Sequence, residues 1–149
     1  MADASQTDAA GAQDVNPRAY NRPAVARTLG LTFTDLTRDR VAAELPARAE
    51  LANRKNILSG GVLMALADIL GGTAASANLP PGAGTTTIES KTNFFAPVAL
   101  GDTVFAECTP LHRGRTTMVW QTRITRGDGR VVAMVTQTQL VMMGARNGE

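Results

Sequence analysis

The most distinctive pattern in the chain is a long stretch, residues 60–77, in which nearly every position is apolar or small. Val62, Leu66 and Ile69 recur at helical spacing along one stripe, and a second apolar stripe runs beside it. A helix that is apolar nearly all round is wrapped by the rest of its protein. The pattern therefore predicts a buried helix over 60–77, with Asp68 as its single charged residue.

Segments with alternating apolar and polar residues, which are typical of β-strands, lie on both sides of this helix. The segments 31–37 and 40–45 precede it and predict a hairpin. Asn16 and Pro17 form the sequence of a helix start, which predicts a short helix ending at Arg27. The strands predicted after the long helix cover 85–95, 103–111, 115–125 and 130–142, with hairpin turns at 112–114 and 126–129.

One helix against a six-stranded antiparallel sheet is an α+β arrangement. Such a sheet keeps a face and two edges uncovered, so we expect a dimer or a higher oligomer. The composition of residues 1–16 predicts a disordered tail, and residues 17–145 are expected to form a single domain. The tail has neither the basic start nor the apolar run of a secretory signal, so we expect a cytoplasmic protein. The stretch 60–77 has the length of a membrane span, but its glycines and central aspartate make it a poor one.

The amino-acid composition excludes several kinds of site. The 149 residues include one cysteine, Cys108, and one histidine, His112, which excludes an intrachain disulfide and a metal cluster built on His and Cys. Without the three aspartates of the tail, the domain holds fifteen basic against ten acidic side chains, a net charge of +5. The bases are scattered and the aromatic residues few, which argues against a nucleic-acid surface. The net positive charge is compatible with an anionic small molecule as well as with nucleic acid.

Asp68 is the first candidate for chemistry. It lies in the middle of the most apolar helix, where it can neither cap the helix nor gain much from the helix dipole. A buried, unpaired carboxylate costs several kcal/mol or shifts its pKa upward. One interpretation is a general base or nucleophile in a cleft. The alternative is a carboxylate that pairs with an arginine at a subunit contact, or that the helix turns toward solvent.

The second candidate is the segment before the helix. Ser59 is placed to cap the helix through its side chain, which would accept from the amide of Gly61 or Val62. Gly60 and Gly61 let a ligand approach the backbone closely, and free amides at a helix start are the ingredients of an oxyanion hole. An ordinary capped helix start is the alternative. Ser59 as a nucleophile is less favoured, because no GxSxG elbow surrounds it.

The spacing of these candidates matters. Gly60 and Asp68 are eight residues apart, so they share roughly one helix face but lie about 12 Å from each other. That distance is too long for one small reacting centre within a single chain. If both residues serve one site, a partner subunit must bring its Asp68 opposite this Gly60, which predicts a shared site at a dimer interface.

The run N-R-K-N-I-L-S-G-G-V-L-M-A-L-A-D, residues 53–68, resembles the signature N-x5-H-G-G-x6-[DE] of the PaaI-like hotdog-fold acyl-CoA thioesterases. The runs K-T-N-F-F-A-P-V-A-L-G-D and G-D-G-R-V-V-A match as well, and so does the preceding L-G-L-T-F…L-P segment, so the resemblance extends over roughly residues 28–142. It implies a long helix wrapped by a curved antiparallel sheet, and a dimer or a dimer of dimers with sites at the subunit interface.

The resemblance also implies roles for single residues. Asp68 matches the general base or nucleophile, Gly60 the residue whose amide polarises the thioester carbonyl, and Asn53 the residue that positions the attacking water or the carboxylate. Thr87 falls where some members place a Ser or Thr near that water. Ser59 departs from the pattern, because the family's usual residue there is a histidine.

The sequence therefore predicts a homo-oligomeric thioesterase that hydrolyses an acyl-CoA to free acid and CoA, without a metal or a redox cofactor. Ser59, Gly61 and Thr87 are expected to contact the substrate. Arg113 and Arg115 are expected to hold CoA phosphates, with solvated turn residues as the alternative. Two other functions stay open: a non-catalytic acyl-CoA-binding or assembly protein, and an enoyl-thioester hydratase or dehydratase, which usually pairs its Asp with a nearby His.

Overall fold

One long helix crosses one face of a six-stranded antiparallel sheet in the computed structural model, which describes residues 15–144. The sheet has the strand order β1-β2-β4-β5-β6-β3, so β3 is an edge strand that pairs with β6 alone. The α+β prediction with one long helix and six strands is confirmed. The elements are α1 Ala24–Leu29, β1 Thr32–Leu36, β2 Val41–Pro46, α2 Gly60–Ala77, β3 Gly84–Phe94, β4 Thr103–Arg113, β5 Thr117–Arg126 and β6 Val131–Met142, with 3-10 turns at Pro17–Tyr20 and Ala49–Leu51.

The core lies between α2 and the inner face of the sheet. Leu66 and Leu70 of the helix are fully buried, as are Trp120 and Ile124 of β5. Burying one such side chain stabilises the fold by about 1.5–3 kcal/mol, so this layer fixes how the helix sits on the strands. By length and composition α2 passes as a candidate membrane span, but 56% of it is buried inside the domain. Among the described residues it is the core helix.

The all-round burial expected for α2 is wrong in this chain. The helix exposes one stripe, on which Gly61, Met64 and Asp68 are exposed. These positions are three or four residues apart, so they share one face of the helix. The sequence did not separate this face from the buried one, because apolar and small residues occupy both.

The N-terminal segment differs from the expectation in two ways. The helix predicted over 17–27 is divided into a 3-10 turn and α1, because Pro23 lacks an amide hydrogen and disfavours helical backbone at the residue before it. The predicted tail lies outside the described residues over 1–14. Its last two residues belong to the domain, since Val15 is buried and the amide of Asn16 donates to the Ala77 carbonyl at 3.2 Å.

The turn predicted at 112–114 lies slightly later in the chain. His112 and Arg113 still pair with β5, after an irregularity in the register at Pro110, and the chain reverses over 114–116. The Gly114 amide donates to the Thr117 carbonyl at 2.8 Å and closes this turn. The turn predicted at 126–129 is confirmed between β5 and β6, where Gly129 adopts φ +82°.

Candidate active site

Asp68 accepts a hydrogen bond from a neighbouring strand. The Thr87 hydroxyl of β3 donates to Asp68 Oδ1 at 2.9 Å. The side-chain amide of Gln139, on β6, donates to Thr87 Oγ1 at 2.7 Å. Thr87 and Gln139 are register partners across the β3–β6 ladder, so the sheet itself brings the two side chains together. Thr87, placed near the reacting centre by the resemblance, thus lies in direct contact with Asp68.

The Asp68 carboxylate is exposed in the single chain, which corrects the expectation that it is buried. None of the described arginines forms an ion pair with it. Within the described residues, the helix therefore turns this carboxylate toward solvent. A carboxylate held by one hydroxyl and otherwise open keeps lone pairs free to accept a proton or to attack a bound group.

A groove of about 360 Å³ runs along the helix from this carboxylate. We call it the Asp68 groove. One wall is formed by α2 with Gly72 and Thr73, and another by Thr85, Thr87 and the segment around Arg18. The Arg18 guanidinium donates to the Ala83 carbonyl at 3.1 Å and so ties this segment to the start of β3. The groove has room for a small ligand, and its lining is rich in hydroxyl groups.

Gly60 and Asn53 line a different cavity of about 360 Å³, which we call the Gly60 cavity. Leu63, Phe94 and Phe95 form its apolar wall. A Cβ on Gly60 would lie 3.2 Å from the Phe94 ring, so glycine permits this close packing at the cavity wall. The amides of Gly60 and Gly61 have no hydrogen-bond acceptor within residues 15–144. They are therefore available to an oxygen of a ligand.

Ser59 begins the helix differently from the expectation. It is the N-cap residue, but its side chain makes no capping hydrogen bond. Its backbone carbonyl instead accepts from the Val62 amide at 3.0 Å and the Leu63 amide at 3.4 Å. The predicted side-chain cap is wrong: the Val62 amide is bonded to the backbone carbonyl of Ser59, and the Gly61 amide has no acceptor among the described residues. The hydroxyl thus remains uncommitted beside Gly61, where a Cβ would lie 3.6 Å from Ser59 Oγ.

Asn53 shapes the loop that leads to the helix. Its Oδ1 accepts from the Lys55 amide at 2.8 Å and from the Ile57 amide at 3.5 Å. Asn56 completes the turn with a φ of +54°, a conformation that asparagine tolerates better than most residues. The Asn53 oxygen is therefore committed to the loop, and its amide nitrogen has no acceptor in the described part of the chain.

The two groups of candidates stay apart within one chain. Asp68 and Thr87 line the Asp68 groove, whereas Gly60 and Asn53 line the Gly60 cavity. This separation is what the helical spacing of about 12 Å predicts. Each chain thus carries two incomplete halves: a carboxylate without amide donors, and amide donors without a carboxylate.

The two arginines of the β4–β5 hairpin have different surroundings. Arg113 forms an ion pair with Asp39 at 2.7 Å and donates to the Arg38 carbonyl and to Asn78 Oδ1. These bonds fasten the hairpin to the β1–β2 turn and to the end of α2. Arg115 is exposed and has no partner among the described residues, so its guanidinium is free to meet an anion.

Gln139 is a functional candidate that the sequence analysis missed. It is 1% exposed, and it lies on the strand face that also carries Ala133, Val135 and Val141. The sequence did contain a signal for this residue. Gln137 and Gln139 occupy alternate positions of β6 at which the other residues are apolar. A strand that places amides among its core-facing positions indicates polar groups beneath the helix.

The remaining reactive side chains lie elsewhere. Burial raises the pKa of the Cys108 thiol to about 11, although a hydrogen bond with Thr122 acts in the opposite direction. His112 is exposed near the end of β4. Within residues 15–144 no three His, Cys, Asp or Glu side chains gather in a way that could hold a metal ion.

A long helix across one face of a six-stranded antiparallel sheet is the arrangement of the hotdog fold, and the chain is a thioester hydrolase of that fold. The Thioesterase superfamily model matches residues 55–133, and the chain belongs to that family. The PaaI-like resemblance is confirmed.

Known proteins agree with this assignment. The proofreading thioesterase EntH of Klebsiella pneumoniae is 32% identical over 102 residues, which are 68% of this chain and 74% of that protein. The structure of the thioesterase HI1161 of Haemophilus influenzae gives a TM-score of 0.78 at 26% identity, covering 90% of this chain and 92% of the other. The PaaI protein of the Escherichia coli phenylacetic acid degradation operon gives 0.79 at 24% identity, over 87% and 92%, a likeness in fold.

Proposed function

We propose that this chain is a cytoplasmic, homo-oligomeric acyl-CoA thioesterase in which Asp68 of one subunit and Gly60 of another act on the same thioester. The observation that carries the proposal is the Asp68 carboxylate, held by the Thr87 hydroxyl at 2.9 Å on the open side of the core helix. The free amides of Gly60 and Gly61 supply what the carboxylate lacks.

In the proposed reaction Asp68 takes a proton from a water molecule, and the resulting hydroxide attacks the carbonyl carbon of the thioester. The developing oxyanion accepts hydrogen bonds from the Gly60 amide and its neighbour, an arrangement that typically contributes about 10²–10³ in rate. The carbon–sulfur bond then breaks, and the CoA thiolate leaves and takes up the proton. Direct attack by the Asp68 carboxylate, followed by hydrolysis of the mixed anhydride, uses the same groups.

A second copy of the chain is the proposed source of the missing half. The exposed stripe of α2 continues onto the edge strand β3, where Ile88 is 56% and Phe94 is 52% exposed. An open strand edge beside exposed apolar side chains favours pairing with another sheet edge. Because a two-fold contact buries the same surface on both subunits, it would bring each Asp68 toward the partner's Gly60 cavity.

Three polar groups are the proposed contacts of the substrate beyond the reacting centre. The Asn53 side-chain amide faces the Gly60 cavity and is proposed to orient the attacking water. The uncommitted Ser59 hydroxyl stands where the family usually has a histidine and is proposed to bind near the thioester. Arg115, whose guanidinium has no partner among the described residues, is proposed to contact CoA phosphates.

Release of free CoA thiol from a panel of short, medium, long and aryl acyl-CoAs tests this function. We expect turnover of at least one member, and a fall in kcat of about 10²–10⁴ in Asp68→Asn, which keeps the shape of the side chain but removes the base. Glu107→Gln, an exposed carboxylate on β4 that lines neither the Asp68 groove nor the Gly60 cavity, is the matched control and should retain activity.

Binding of acyl-CoA without turnover of any member would contradict hydrolysis and support a non-catalytic binding protein. The absence of histidine at position 59 is the observation that favours this second candidate. A hydratase is less favoured, because His112, the single histidine, lies on β4 and does not line the Asp68 groove.

A further inference from the structure

We infer that Gln139 is a positioning residue that sets the direction of the hydrogen bond between Thr87 and Asp68. The inference rests on the proposed role of Asp68 and extends it by one residue. Gln139 lies on β6, behind the edge strand, and its side chain is 1% exposed. It touches no reacting atom in the proposed mechanism and acts through the Thr87 hydroxyl.

Both ends of the Gln139 amide are hydrogen-bonded. Its nitrogen donates to Thr87 Oγ1 at 2.7 Å, and its oxygen, 3.1 Å from the Thr85 hydroxyl, shares the single proton of that hydroxyl with a second acceptor. The same Thr85 hydroxyl lies 3.0 Å from the Leu140 carbonyl. Two threonines two residues apart on β3 thus contact the two ends of one buried amide.

The direction of these bonds follows from the charge of Asp68. A threonine hydroxyl has one proton to donate, and it can accept on its oxygen. When Gln139 turns its nitrogen toward Thr87, that oxygen accepts, and the proton is left for the Asp68 carboxylate. If the amide turned its oxygen toward Thr87, the hydroxyl would donate to Gln139, and the carboxylate would lose its donor. A hydrogen bond to an ionised acceptor is about twice as strong as a neutral one, so the first orientation is favoured.

Gln137 shows that β6 does not require such a network for folding. It lies two residues away on the same strand face and is also 1% exposed, yet neither its Nε2 nor its Oε1 has a hydrogen-bond partner in residues 15–144. Gln139 is bonded to the residue that contacts Asp68 and lines the Asp68 groove, whereas Gln137 packs against Gly71 of α2 and has neither of these contacts. Gln137 is the matched control for the cost of a buried amide at this place.

The test compares Gln139→Met with Gln137→Met, measured with the acyl-CoA that gives the highest turnover. Methionine has a similar length and no donor. We expect Gln139→Met to lower kcat by about 2- to 10-fold, the value of one neutral hydrogen bond, with KM changed less than about 2-fold. Gln137→Met should keep kcat, and thermal unfolding should show both variants folded. Thr85→Val, which releases only the oxygen end of Gln139, should lower kcat by a smaller factor.

A double-mutant cycle separates positioning from a general structural effect. If Gln139 acts through Thr87, Gln139→Met should cause little further loss of kcat in a Thr87→Val background. Equal losses in both backgrounds, an equal loss in Gln137→Met, or a loss carried by KM would overturn the inference. Any of these results leaves the proposed function intact, provided that the unaltered chain turns over and Asp68→Asn does not. Absence of turnover in the unaltered chain would instead contradict the proposed function itself.

Discussion

At the scale of single residues, Asp68 combines two properties that seldom meet in a core helix. It is the single charged residue of α2, and the hydroxyl of Thr87 on a separate element holds it in place. None of the described ion pairs includes this carboxylate, although Arg18 lines the same groove and donates to the Ala83 carbonyl instead. The group therefore stays an acceptor, which a general base requires.

The hairpin arginines carry a prediction at this scale. Arg113→Ala should cost about 0.5–1 kcal/mol of folding free energy, because it removes an exposed ion pair and two further hydrogen bonds that fasten the hairpin. Arg115→Ala, which has no such contacts, should leave the melting temperature unchanged and weaken inhibition by free CoA. Thermal unfolding and CoA competition on both variants check this. Weaker CoA inhibition in Arg113→Ala alone would reverse the two roles.

At the scale of elements, α2 meets the sheet closely at one glycine. A Cβ on Gly71 would lie 2.3 Å from the Gln137 side-chain carbon, whereas a Cβ on Gly72 would meet nothing within 4 Å. The two adjacent glycines therefore differ in the space available to an added side chain. The first allows the helix to approach β6, and the second faces the Asp68 groove.

This contrast gives a stability prediction. Gly71→Ala should destabilise the fold by about 1–2 kcal/mol, because crowding a packed core outweighs the gain in helix propensity. Gly72→Ala should stabilise it by about 0.5–1 kcal/mol, since alanine favours the helix and nothing opposes the added methyl group. Denaturant unfolding of both variants measures the difference. Equal effects at the two positions would show that Gln137 moves aside without cost.

At the scale of the whole molecule, the proposed function requires two chains to meet. In one chain the Asp68 groove and the Gly60 cavity are separate. Neither holds both a base and an oxyanion donor. A shared site follows only if a second copy covers the exposed stripe of α2 and the edge strand β3.

Mixing two inactive variants tests the sharing of sites. Asp68→Asn removes the base, and Gly60→Val puts a branched side chain where even a Cβ would lie 3.2 Å from the Phe94 ring. After subunit exchange, half of the dimers are mixed and one of their two sites is intact, so activity should return to about a quarter of the unaltered level.

Each variant taken through the same exchange alone is the control and should stay inactive. No recovery, although tagged heterodimers are isolated, would place the base and the oxyanion donor within one chain.

The long helix, the six strands and the spacing of Asn53, Gly60 and Asp68 could be predicted from the amino-acid order alone, because hydrophobic periodicity and motif spacing are local properties of the chain. The separation of the Asp68 groove from the Gly60 cavity could also be predicted, since helix geometry fixes how far apart Gly60 and Asp68 lie. Which face of α2 is exposed could not be predicted, because apolar and small residues occupy every side of the helix and its packing on the sheet selects the buried one. The hydrogen bonds among Asp68, Thr87 and Gln139 likewise depend on strand register, which brings together residues far apart in the chain.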